Sequence, residues 1–149
     1  APWSRWITPI QPSVTNKRFD TRFFVAVLPP GQEPRHDDIE ATDSFWLSPL
    51  DALTRYWANE VTLAPPQIMT LASLLPHRDT ASVLKAAQQH TPPLILPEPF
   101  DDEEGLRTLC YPGDPRHSVA ARAWQGPSRL RFINGRFEPC GGLDALLNP

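Results

Sequence analysis

The sequence predicts an α/β fold. Three observations carry that reading. Arg18 to Leu28 is a nearly continuous aromatic and β-branched run, the pattern of a strand. Ser48 to His90 holds three successive segments with helical spacing and start signals. Arg129 to Phe137 is two apolar runs around Asn134-Gly135, the preferred pair for a type I′ hairpin turn. At 149 residues the chain suits one domain with its own core, or one lobe of a larger fold.

The elements follow in order. Trp3 to Ile10 alternates bulky residues and reads as a strand. In the next strand Phe19, Phe23, Phe24, Val25, Val27 and Leu28 are apolar on both faces, which predicts a central strand buried on both sides. Pro29-Pro-Gly31 stops it. A polar loop runs from Gln32 to Asp38, and Asp43 to Leu47 reads as a short strand. Phe19, Phe23, Val25, Val27 and Trp46 are the predicted core of one sheet. Ser48 is a good N-cap, Pro49 suits the first helical position and Asp51 meets the positive end of the dipole. Leu50, Leu53 and Trp57 share a face of that helix. A second helix starts at Pro65-Pro66 and ends before Pro76. A third runs from about Thr80 to His90, capped by Asp79 or Thr80. Pro92 to Pro99 is an edge strand or an extended arm. Leu106 to Tyr111 reads as a strand ended by Pro112-Gly113, and the hairpin sets Phe132 opposite Phe137.

Composition narrows function by exclusion. Net charge is −3, so no basic excess recommends nucleic acid. Cys110 and Cys140 are too few for a disulfide framework and match no zinc spacing. A reducing, cytoplasmic setting is the default. No apolar run reaches membrane-spanning length. The nineteen prolines, more than twice the usual share, fall between apolar segments and punctuate short elements.

Four strings in fixed order carry a family resemblance: Pro2-Trp-Ser-Arg-Trp-Ile-Thr-Pro9, Lys17-Arg-Phe-Asp-Thr-Arg-Phe-Phe24, Trp46-Leu-Ser-Pro49 and Leu63-Ala-Pro-Pro-Gln67. Together they resemble the second half of a Nudix hydrolase, in the subgroup that holds an animal coenzyme A diphosphatase and its bacterial relatives. Tyr111-Pro-Gly-Asp114 and Gly126-Pro-Ser-Arg-Leu130 resemble the bacterial members more weakly. The resemblance implies an α/β/α sandwich around a mixed sheet. Residues 1–90 would be the post-box half of that domain, and 91–149 a Pro-rich and β-hairpin extension packed on it. The Nudix box, an Arg-Glu pair followed by Glu-Glu on a helix, holds the divalent metals that activate water on a diphosphate. No such string is in this sequence, and Glu103-Glu104 lacks the Arg-Glu ahead of it. The box would come from sequence preceding Ala1 or from a partner chain.

The implied chemistry is hydrolysis of a diphosphate in a nucleotide-linked small molecule with Mg²⁺ or Mn²⁺, coenzyme A or its esters leading as substrate. Glu40, within the acidic cluster Asp37, Asp38, Glu40 and Asp43, is the candidate catalytic carboxylate, as base or as an added metal ligand. Its alternative is a solvated loop. Arg18 and Gln67 are candidate substrate contacts: a guanidinium that could clamp a diphosphate, and a side chain near a helix N-terminus. Their alternatives are a structural ion pair and a helix entrance stiffened by proline. A second class of function is a non-catalytic, partner-binding module. Its uncovered apolar surface would need a second chain or a homodimer mate.

Overall fold

The computed structural model describes residues 3–9, 21–41 and 43–148. Among these residues two sheets and four helices share one core. The first sheet has the order β2-β1-β3, with β1 Trp3–Pro9 in the middle. β2 Phe23–Ala26 pairs antiparallel with it and β3 Leu94–Ile95 pairs parallel. The second sheet is antiparallel, in the order β4 Glu98–Asp101, β5 Arg107–Cys110, β6 Arg129–Ile133, β7 Arg136–Pro139.

The helices begin where their caps dictate. α1 is Pro49–Trp57: Ser48 Oγ accepts from the Asp51 N–H at 3.1 Å and donates to its carboxylate at 2.7 Å. α2 is Pro65–Leu74. α3 is Thr80–Gln89, with the Asp79 carboxylate accepting from Ser82 N–H at 2.8 Å. α4, Gly142–Leu147, is a helix that the sequence reading missed. It is under two turns long and has no side-chain cap to announce it.

The core draws on both halves of the chain. Leu53, Tyr56, Ile68 and Met69 from the helices meet Ile95, Leu109, Tyr111, Leu130 and Leu146. Polar bonds tie the layers. Trp6 Nε1 donates to Ser73 Oγ at 2.8 Å, and Tyr56 Oη donates to the Phe137 carbonyl at 2.6 Å. Arg136 Nη1 donates to the carbonyls of Tyr56 and Trp57 and to Asn59 Oδ1, capping the C-terminal end of α1. The hairpin turns at Asn134 and Gly135, both with positive φ, and Phe132 pairs with Phe137.

Several expectations are corrected. Among the described residues β2 is an edge strand with alternating burial, Phe23 and Val25 half-buried and Phe24 and Ala26 exposed. It is not a central strand buried on both faces, because β1 takes the middle place. Val27 lies past the end of β2 and is 45% exposed. Asp43 to Leu47 forms no strand, and Trp46 is 74% exposed. Neither residue belongs to the core. On α1 the buried face is Ala52, Leu53 and Tyr56, while Leu50 is exposed. Phe19 lies outside the described residues.

Candidate functional site

The acidic loop is built around one carboxylate. Asp37 Oδ1 accepts from the N–H groups of Ile39, Glu40 and Ala41, each at 3.1 Å. Asp38 turns the chain at φ 59° and its N–H donates to the Ala41 carbonyl. His36 Nε2 lies 2.9 Å from Asp38, and its Nδ1 lies 3.1 Å from Ser44 Oγ. The backbone N–H groups of Ala41, Ile39 and Glu40 hold the Asp37 carboxyl below its ordinary range. Asp37 therefore organises the loop. Glu40 is fixed at its backbone and exposed at its side chain.

Gln67 occupies the third position of α2. Its Oε1 accepts from the Ala64 N–H at 2.8 Å, so the side chain closes the helix entrance from within. The Gln67 side chain serves local backbone, Glu40 is held only through its own N–H to Asp37, and the two share no hydrogen bond. Arg18 lies outside the described residues. Between β2 and α3 runs a groove of about 480 Å³. Phe24, Val27, Pro49 and Leu84 give it apolar walls, and Arg78, Asp79 and Thr80 give it a polar end. Neither Glu40 nor Gln67 lines it.

The two weaker motifs of the second half lock together. Tyr111-Pro-Gly-Asp114 is a tight loop in which Gly113 has φ +96°. A Cβ there would sit 2.9 Å from the Arg122 Cα, so only glycine fits. Asp114 is 2% exposed and accepts from Arg129 Nε at 2.6 Å, Arg129 Nη2 at 3.0 Å, Ser128 Oγ at 2.9 Å and the Arg116 N–H at 2.9 Å. Burial pushes its carboxyl up, but these donors together hold it below the ordinary range. The sequence named both strings, and only the fold shows that Asp114 and Arg129 are partners.

Among the described residues no three His, Cys, Asp or Glu side chains converge as a metal site. The nearest acidic cluster spends Asp37 on backbone N–H groups. These residues alone do not fit a divalent ion. Among the same residues no helix is long and apolar enough to cross a membrane.

Comparison with known proteins gives these residues their context. Residues 1–74 match the family described as the NUDT19 Nudix domain. The chain is similar to the acyl-coenzyme A diphosphatase NUDT19 of Xenopus laevis, 37% identical over 73 residues, which are 48% of this chain and 19% of that protein. The human protein of that name is 38% identical over 74 residues, again 48% of this chain and 19% of the relative. A putative nudix hydrolase 7 of Caenorhabditis elegans is 30% identical over 112 residues, 73% of this chain and 37% of that protein. The chain thus spans a minor part of each of these relatives, all of them animal proteins. No solved structure matches. The likeness read from Trp46-Leu-Ser-Pro49 and its companion strings stands on these matches: the first half of this chain is similar to Nudix sequence of the NUDT19 type.

Proposed function

We propose that this chain is part of a Nudix-type hydrolase that cleaves the diphosphate of coenzyme A or its esters. It supplies a wall of the substrate site, while the box and its metal ligands lie elsewhere. Water is added across one P–O–P bridge and two phosphomonoesters leave. The observation that carries this reading is the match of residues 1–74 to the NUDT19 Nudix domain, whose similar animal proteins are acyl-coenzyme A diphosphatases by name. The β2–α3 groove supports it. Its apolar wall suits a thioester-linked chain, and Arg78 suits an anionic group at the groove's end, where the neighbouring Asp79 carboxylate is engaged by the Ser82 N–H.

On this reading, β2, β1 and β3 are part of a larger mixed sheet in an α/β/α sandwich. Residues 1–90 are its post-box half and 91–149 the packed extension. Mg²⁺ or Mn²⁺ belongs to donors outside the described residues, with Glu40 at most adding one carboxylate. The setting is cytoplasmic. A box-bearing full-length protein given metal should convert coenzyme A to two phosphomonoesters, read by mass spectrometry. The 149-residue chain should leave it intact. Turnover by the chain alone would overturn the division of labour. A box-bearing protein inert on coenzyme A, its esters and other nucleoside diphosphate derivatives would overturn the hydrolase.

One observation favours a second reading, a partner-binding module derived from the Nudix fold. Phe24, Val27, Phe45, Trp46 and Leu50 are all exposed within one stretch of sequence. Large apolar side chains in that density call for a cover, from a second chain or a homodimer mate. Sedimentation of the isolated chain separates the cases, since a monomer at high micromolar concentration excludes the homodimer.

A further inference from the structure

The second sheet carries a cluster of arginines that the hydrolase reading does not use. Cross-strand pairing places Phe100 on β4 beside Thr108 on β5, and Thr108 beside Arg131 on β6. Arg129 lies two residues earlier on β6 and therefore on the same face. The loop after β5 brings Arg116 over the Phe100 ring at 4.4 Å, with Arg129 5.4 Å from the same centroid. These five side chains line a cavity of about 480 Å³ with Asp102, Glu103, Glu104 and Cys140.

The three guanidinium groups are not equivalent. Arg129 gives Nε and Nη2 to Asp114. Arg131 gives Nε to Asp102 at 2.7 Å and Nη2 to Glu104 at 2.6 Å. Those carboxylates hold both side chains in one orientation. The Nη1 group of each makes no hydrogen bond among the described residues. Arg116 pairs with no carboxylate among them, and the Phe100 ring is its cation–π contact. It is the one guanidinium of the three that no carboxylate among the described residues holds.

We infer that this cavity binds the phosphoryl group of a small molecule. Three arginines line one cavity, two from β6 and one from the loop after β5, and offer several N–H donors to one ligand. A tetrahedral phosphoryl group presents three oxygens to meet them, whereas a carboxylate presents two in one plane. Two of the guanidiniums are already ordered, so less side-chain entropy is lost on binding. Asp102, Glu103 and Glu104 also line the cavity; the first and third are held by Arg131, while exposed Glu103 has no arginine partner among the described residues, and together they limit affinity.

The test is a nuclear magnetic resonance titration of the 149-residue chain with inorganic phosphate, with acetate as the carboxylate arm. Ionic strength is held constant, because screening alone moves exposed charges. Phosphate should shift the Arg129 and Arg131 Nε–H signals saturably, and acetate should not. Arg116→Ala should weaken binding about tenfold or more through lost charge-assisted hydrogen bonds. Arg116→Lys should recover part of that loss. Glu103→Gln should tighten binding by about threefold through removal of one opposing charge. Arg116 is exposed, so its variants should keep the parent fold, checked by their amide spectra. Shifts that stay linear in phosphate, equal response to acetate, or unchanged affinity in Arg116→Ala would each overturn the assignment.

Discussion

Asp114 and Arg129, fifteen residues apart, form a two-point ion pair with Nε–Oδ2 at 2.6 Å and Nη2–Oδ1 at 3.0 Å. The pair fastens the loop after β5 to the start of β6, alongside the Tyr111 N–H to Ser128 carbonyl bond at 3.0 Å. Its carboxylate side is buried and its guanidinium side partly open. Removing the arginine therefore strands a buried charge. Arg129→Ala should cost about 3 kcal/mol, near the low end for a broken buried pair because Ser128 and the Arg116 N–H remain. A urea midpoint within error of the parent would show that water replaces the guanidinium without loss.

The same carboxylate sets an acid limit. Its folded pKa lies below the ordinary aspartate value, so the folded state binds the proton less well than the unfolded chain. The stability it contributes is present above the unfolded pKa, about 3.9, and is lost as pH falls from there through the folded value. Asp114→Asn should be less stable than the parent at neutral pH. Its unfolding free energy should fall less steeply below about pH 4. Parallel pH profiles for the two proteins would remove Asp114 from the acid transition.

Tyr111 presents the opposite case, a buried polar atom with nothing to bond among the described residues. It is 2% exposed and its hydroxyl has no hydrogen-bond partner among the described residues. Burial pushes its phenol pKa far up, so it stays neutral. Tyr111→Phe removes the unpaired hydroxyl and keeps the ring against Trp124, at 5.8 Å between centroids. Stability should rise by about 1 kcal/mol. A loss of similar size would reveal a partner for the hydroxyl, such as a buried water.

The strand positions show how far periodicity reaches. Ser48, Pro49 and Asp51 state the start of α1 in local chemistry, and α1 begins there. Asn134-Gly135 fixes its hairpin in the same way, because the turn type demands those residues. The run from Phe23 to Leu28 contains no comparable instruction about which strand lies beside it. An apolar run fits a central strand or an edge equally well, and only the pairing of β1 with both β2 and β3 decides. The Asp114–Arg129 pair is invisible for the same reason: its partners are neighbours only after β5 and β6 pair. Glu40 and Gln67 were findable by position, but the backbone bonds around each depend on turn geometry. Phe23→Ala should therefore cost roughly 1–2 kcal/mol, below the range for a fully buried Phe, and Leu130→Ala, at a fully buried site, about 3 kcal/mol. Equal losses would place Phe23 in the core after all.

Gln67 can be assigned by separating stability from binding. If its side chain serves only the Ala64 N–H, Gln67→Ala should lower stability by about 0.5–1 kcal/mol, the scale of a lost helix cap, and leave KM of the box-bearing protein unchanged. A several-fold rise in KM with little change in melting temperature would give it the substrate contact instead.

Glu40 calls for a comparison of two variants in the box-bearing full-length protein. Glu40→Gln keeps the side-chain shape but cannot accept a proton and binds metal poorly. As a general base, Glu40 would be worth about 10²–10⁴ in kcat, with a smaller effect on KM. Asp37→Ala leaves Glu40 in place but removes the acceptor of three backbone N–H bonds around it. It should lower kcat by less than Glu40→Gln does, because the base survives on a looser loop. The loop has its own acid limit: the lowered Asp37 pKa means that its ordering is complete above the ordinary carboxylate range and lost as pH falls below it. Steady-state rates at saturating metal decide the roles. A Glu40→Gln rate within about twofold of the parent, far short of general-base catalysis, would return Glu40 to the solvated surface of a loop that Asp37 organises.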